Sequence, residues 1–148
     1  RFRPVVRRAA LPRLAMTRAP EALAMDALLR RVAEAKDRAA FAALFENARV
    51  QLNRNVRPWA DRPANERTMV AAVEINYLRE GNYPDDIIVC SGIGRIGTSS
   101  WTIEQAMFQN GECIATCDTV VVCRTDNQAK PLRAEIVDGL TAQIVRQV

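Results

Sequence analysis

A chain of 148 residues, 49% hydrophobic and 26% charged, can bury a core of its own and is too apolar to stay unfolded. No apolar run reaches the roughly 18 residues of a membrane span, and Pro and Arg interrupt the basic opening RFRPVVRRAALPRLAM before the apolar stretch of a secretory leader forms. The net charge of +4 is uneven: residues 1–60 hold 13 Lys and Arg against 5 Asp and Glu, residues 61–148 hold 8 against 12. That asymmetry fits a basic arm, a second module or a face for an anionic partner.

Residues 1–20, rich in Arg, Pro and Ala, show no steady period and are expected to form a basic arm, with Phe2–Arg8 compatible with a short edge strand. Helical spacing begins near Glu21, with Leu23, Ala27, Leu28 and Val32 on one stripe. Asp37 stands where it can cap a second segment, in which Phe41, Leu44, Phe45, Ala48 and Leu52 keep the 3–4 spacing of a half-buried helix. Helices are therefore expected over 21–53. NRNVRPWADRPANER, which follows, reads as a loop.

The period then changes to two. Met69, Ala71, Val73, Ile75 and Tyr77 alternate with polar neighbours and predict a strand with one apolar face. Further strands are expected over 86–96, 99–109 and 112–125, so the sheet occupies 68–125. Trp101, Ile103, Gln105 and Met107 share a face of the third strand. Asn110-Gly111 marks a tight type I′ hairpin, which needs positive φ at both central residues. Leu132, Ile136, Leu140 and Ile144 predict a terminal helix over 131–147. A one-faced sheet preceded by an Ala/Leu/Phe helix makes an α+β domain over 21–148, with the helix as cover.

Four cysteines, Cys90, Cys113, Cys117 and Cys123, form no CxxC pair, and the chain has no His, so no metal site is expected; the thioester chemistry considered below calls for no other cofactor. They read as free thiols in a reducing cytoplasm, with Cys113, Cys117 and Cys123 of one parity and so on one face.

The stretch VEINYLREGNYPDDIIVCSGIGRIGTSSWTIEQAMFQNGECIATCDTVVV, followed by KPL and a helix, resembles the hotdog-fold acyl-CoA thioesterases of the 4-hydroxybenzoyl-CoA thioesterase type. The matching pieces are the strand Val73–Arg79, the turn Asp85-Asp86, the GxxGxSS bend Gly94–Ser100 and the strand opening Gly111–Ala115. FENARVQL, Phe45 to Leu52, looks like the end of the family's central helix. The likeness covers about residues 45–140. It implies a sheet wrapped around a long helix, a homodimer or homotetramer whose sheets pair edge to edge, and acyl-CoA bound where two copies meet.

Thioester hydrolysis needs a carboxylate to attack the carbonyl or activate water, and N–H donors, often at a helix N-terminus, to polarise the thioester oxygen. The family carries these in a segment of the form D-M-D-x-x-G-H-V-N-N. Its second half has no counterpart here, because the chain has no His and no Gly before residue 81. AMDAL, Ala24 to Leu28, echoes the first half and carries the catalytic carboxylate over to Asp26; Glu46 of FENARV is the second candidate. The bend residues Arg95, Thr98, Ser99 and Ser100 are the expected acyl-CoA contacts, Arg for phosphate and the hydroxyls for pantetheine amides.

ALAMDALLRRVAEAKDRAAFAALFE, Ala22 to Glu46, also resembles the opening helices of extracytoplasmic-function sigma factors. Three readings follow: a cytoplasmic acyl-CoA thioesterase with an incomplete catalytic motif, a hotdog protein that binds acyl-CoA or serves a structural role without catalysis, and a transcription-associated helical module fused to a sheet. The first two expect no membrane and no nucleic-acid partner; the third expects polymerase or nucleic acid.

Overall fold

The computed structural model describes Ala27 and residues 38–56, 62–82 and 85–144. Asp26, Asp37, the arm over 1–20 and most of the first predicted helical segment lie outside the described residues.

Period-two alternation produces four long strands, β1 Glu66–Tyr77, β2 Ile87–Ile96, β3 Ser100–Gln109 and β4 Glu112–Thr125, with a short β5 Gln128–Ala129. All pair antiparallel in the order β1-β4-β3-β2, and β5 adds to β4. The β3–β4 hairpin turns at Asn110 (φ 51°) and Gly111 (φ 80°), as the Asn-Gly pair predicts. Asp126 (φ 50°) and Asn127 (φ 62°) repeat that turn and create β5, which period alone does not reveal.

Helix α1, Arg38–Asn55, lies on the sheet's inner face. Its buried stripe Ala40, Phe41, Leu44 and Phe45 packs on Met107, Ile114, Ala115 and Cys117, flanked by Ile75, Ile87 and Val89. Toward the start of β3, Leu52 and Val56 join Ile93, Trp101, Ile103, Val121 and Cys123 beneath Ile136 and Leu140 of helix α2, Ala134–Thr141. Polar ties fix the layers. The buried Gln105 amide donates to the Phe45 carbonyl (3.0 Å) and to Ser91 Oγ (2.8 Å). Glu66, buried at the start of β1, takes two hydrogen bonds from the Arg133 guanidinium at the start of α2 (2.9 and 3.1 Å).

Three expectations change. A bulge between Val70 and Ala72 puts Val70 on the face of Val73, Ile75 and Tyr77 and turns Met69 outward, because an extra residue reverses the alternation. A second irregularity, at Met107/Phe108, sets Cys113 opposite Phe108, away from the buried Cys117 and Cys123. The terminal helix stops at Thr141, well short of the expected end at 147. Leaving the helix lets the Gln143 carbonyl accept the Ile93 N–H (2.9 Å), and Ile144 bridges Ile93 in parallel, covering part of the β2 edge.

β1 has no such cover. Val70, Val73 and Tyr77 are 44%, 49% and 38% exposed although they belong to the inner face; among the described residues α1 meets this strand at Ile75 and Tyr77. Among the described residues no helix is long and apolar enough to cross a membrane.

Truncating Phe45, 1% exposed, to Ala is expected to cost about 3–5 kcal/mol, read as a lower urea midpoint at unchanged m-value. Val50→Ala on the outward side of the same helix is expected to stay within about 0.5 kcal/mol.

Candidate active site

The bend between β2 and β3 is built from the backbone outward. Gly97 N–H closes it on the Ser100 carbonyl (2.7 Å), while the Thr98 and Ser99 carbonyls accept from Leu132 N–H (2.8 Å) and Cys123 N–H (2.9 Å). Just before it, Arg95 N–H donates to Thr102 Oγ1 (2.7 Å). At Gly94 a Cβ would lie 2.2 Å from a Glu104 carboxylate oxygen and 2.8 Å from Thr102 Oγ1, so a side chain there would have to displace both.

Beside the bend opens a hollow of about 320 Å³ lined by Arg95, Gly97, Thr98, Ser100, Trp101, Thr102 and Val120. Three of the four expected ligand residues, Arg95, Thr98 and Ser100, therefore meet around one space. Ser99 is not among its walls. An exposed guanidinium beside two hydroxyls is a donor set for an anionic, amide-bearing ligand.

A second hollow, about 290 Å³, lies where α1 begins, between Arg38, Phe41 and the run Tyr77–Gly81. Tyr77 joins its walls: the hydroxyl donates to the Arg38 carbonyl (3.3 Å), the ring meets Phe41 edge-on (5.4 Å between centroids) and the Arg38 guanidinium lies 5.2 Å from the Tyr77 ring centre. Sheet packing is the role the sequence suggests for Tyr77; its place on the inner face at the end of a strand was the available signal for this tie to the helix. The two hollows stand at opposite ends of the strands, roughly 20 Å apart by the rise from Trp101 to Met107, the residue level with Tyr77.

Glu46 lines neither hollow. It projects from the outward side of α1 and pairs loosely with Arg49 (3.7 Å), its side chain 65% exposed. Cys90, Cys117 and Cys123 are not nucleophiles activated by a lowered pKa. Burial raises the Cys90, Cys117 and Cys123 thiols above the ordinary 9.0; Cys113 adds to the rise at Cys90 and Glu66 at Cys123, while the Thr119 hydroxyl opposes it at Cys117. Among the described residues no group of three or more His, Cys, Asp or Glu could hold a metal ion.

This helix-wrapping sheet is the hotdog fold, and the chain belongs to the thioesterase-like superfamily, whose family model matches residues 36–143. Solved structures agree. A thioesterase from Thermus thermophilus, complexed with coenzyme A and Zn, is 26% identical with a TM-score of 0.65 over 76% of this chain and 83% of its own. A predicted thioesterase from Bacillus stearothermophilus is 24% identical, with a TM-score of 0.65 over 76% and 85%. The DHNA-CoA thioesterase of Staphylococcus aureus, 19% identical, shares the fold with a TM-score of 0.58 over 72% and 78%. No curated protein sequence matches the chain.

A thiol whose pKa rises on folding contributes stability that is complete below its unfolded value and is lost as pH climbs through the higher folded value. The urea midpoint is therefore expected to fall between about pH 8.5 and pH 10.5, and to fall less in a Cys117→Ala/Cys123→Ala variant. Denaturation curves at the two pH values check this.

Proposed function

We propose that the chain hydrolyses an acyl-CoA thioester to the free acid and CoA. The observation that carries this reading is the convergence of Arg95, Thr98 and Ser100 on one hollow in a member of the thioesterase-like superfamily. The Arg95 fork suits a phosphate of CoA, and the hydroxyls suit the amides of its pantetheine arm. The CoA bound in the Thermus thermophilus structure supports that ligand class.

Water attacks the thioester carbonyl while a carboxylate takes its proton; the C–S bond then breaks and the sulfur leaves as the CoA thiol, protonated. Asp26 and Glu46 are the residues assigned that carboxylate.

β1 presents a 12-residue edge with apolar side chains left open, a template for pairing with a second copy. Antiparallel pairing there reverses the strands, so the helix-end hollow of one copy comes to the bend end of the other. We read residues 21–148 as one such domain, residues 1–20 as an appended arm, and the cytoplasm as its place. A silent binding protein is the second reading, favoured by Glu46 pointing outward onto Arg49.

Release of CoA thiol from a series of acyl-CoAs, followed with a thiol reagent, tests both. Arg95→Ala is expected to raise KM about tenfold or more with kcat little changed, the size of a lost charge-assisted hydrogen bond. Asp26→Asn or Glu46→Gln is expected to lower kcat about 100-fold. CoA binding that Arg95→Ala abolishes, with no thiol released from any acyl-CoA, establishes the silent reading. Neither release nor binding overturns both.

A further inference from the structure

The bend between β2 and β3 is tied to the rest of the molecule on two sides. The Ser99 carbonyl accepts from Cys123 N–H (2.9 Å), a residue inside β4, so a strand holds that tie. The Thr98 carbonyl accepts from Leu132 N–H (2.8 Å), and residues 130–133 belong to no helix or strand. What fixes this connector is the residue after Leu132. The Arg133 guanidinium forks onto both carboxylate oxygens of Glu66 (2.9 and 3.1 Å). Its carbonyl accepts the Ile136 and Val137 N–H groups (3.0 and 3.1 Å) in the first turn of α2. Glu66 opens β1, at the far edge of the sheet from β2. One ion pair thus reaches across the sheet to the bend, through two successive residues and one peptide hydrogen bond.

Stability alone is a weak reason for such a pair. Glu66 is 4% exposed, and taking a carboxylate out of water offsets much of what its partner returns. Apolar side chains of similar volume often hold a fold as well. What the fork supplies and apolar packing lacks is direction: two parallel N–H···O bonds hold the Arg133 side chain in one geometry. Exposed Glu135, 3.6 Å from Arg133, adds one looser contact and no fork.

We propose that Glu66 and Arg133 are a positioning pair for the bend hollow, the fork holding Leu132 on the Thr98 carbonyl and so keeping Thr98 in the wall that meets ligand. The proposal rests on the reading of that hollow as the CoA site. Neither residue lines the hollow, so the pair acts on binding only through the bend. A bend without this tie has to be ordered by the ligand itself, and that ordering weakens binding.

Calorimetric titration with CoA, run beside urea denaturation, tests this. Glu66→Leu/Arg133→Met removes one charge of each sign, so the net charge is unchanged. It is expected to keep the wild-type urea midpoint while weakening CoA binding about tenfold. With an acyl-CoA substrate the same loss is expected in KM, with kcat unchanged. Arg133→Lys, which keeps the charge without the fork, is expected to shift affinity in the same direction. On a Thr98→Ala background the loss of the pair is expected to add little, because both changes act at one contact. Folded variants that bind CoA as the wild type does overturn this inference alone, and so does a loss fully additive with Thr98→Ala. Wild-type protein that binds no CoA overturns the acyl-CoA reading and the inference with it.

Discussion

Everything in this molecule depends on covering one face of one sheet. Alternation puts Trp101, Ile103, Met107, Cys117 and Val121 on the same side, and none can remain in water without forfeiting the burial that holds the chain folded. Each large side chain so buried contributes about 1.5–3 kcal/mol, against a comparable entropic cost per ordered residue. α1 supplies the cover because its 3–4 spacing gives a stripe that runs along the strands from Met107 to Trp101: 18 residues at 1.5 Å rise make roughly 27 Å, enough for the roughly 20 Å between those two levels. The Gln105 amide on the Phe45 carbonyl then fixes the helix in register, since a shifted helix would leave a buried amide without its acceptor.

Among the described residues α1 alone does not cover four strands. α2 and the short bridge at Ile144 finish the cover around β2 and the start of β3, which leaves the deficit on β1. The same deficit opens one of the two hollows. A strand whose inner face is left open beside the beginning of α1 creates the Arg38–Tyr77 hollow, whereas the other hollow arises at the opposite end, where β2 and β3 turn around Gly97. Both are products of where packing stops.

Much of the architecture was legible because it rests on local rules. The Asn110-Gly111 turn, the parity of Trp101 to Met107 and the spacing of Phe41 to Leu52 are each decided by a few neighbouring residues. What escaped was decided at a distance. The bulges that turn Met69 and Cys113 outward answer to the partner strand rather than to their own alternation. Helix spacing continues to Ile144, but the unpaired N–H of Ile93 competes for that segment and prevails. At the candidate site, Arg95, Thr98 and Ser100 fall together because a bend is a local object; Ser99 is not among the hollow's walls, and its carbonyl accepts from Cys123 N–H. The helix tie of Tyr77 joins residues 39 positions apart, which no motif records.

The separation along the chain of the bend from the two candidate carboxylates bears on what such a protein can lose. The bend that holds Arg95, Thr98 and Ser100 is also a hairpin of the core, pinned by Leu132 and Cys123, so changes that remove it undermine the fold. The residues that carry acid–base chemistry in this family precede and open the helix, where packing asks only for an apolar stripe beginning at Ala40 and Phe41. Burial therefore constrains the first element. A chain under selection for folding alone keeps its sheet and its bend while its carboxylates drift, because a fold specifies where a site can stand and not what stands in it. The absence of the Gly-His-Val-Asn-Asn element beside an intact GxxGxSS bend has that shape, and it places the weight of any hydrolytic activity on Asp26 and Glu46.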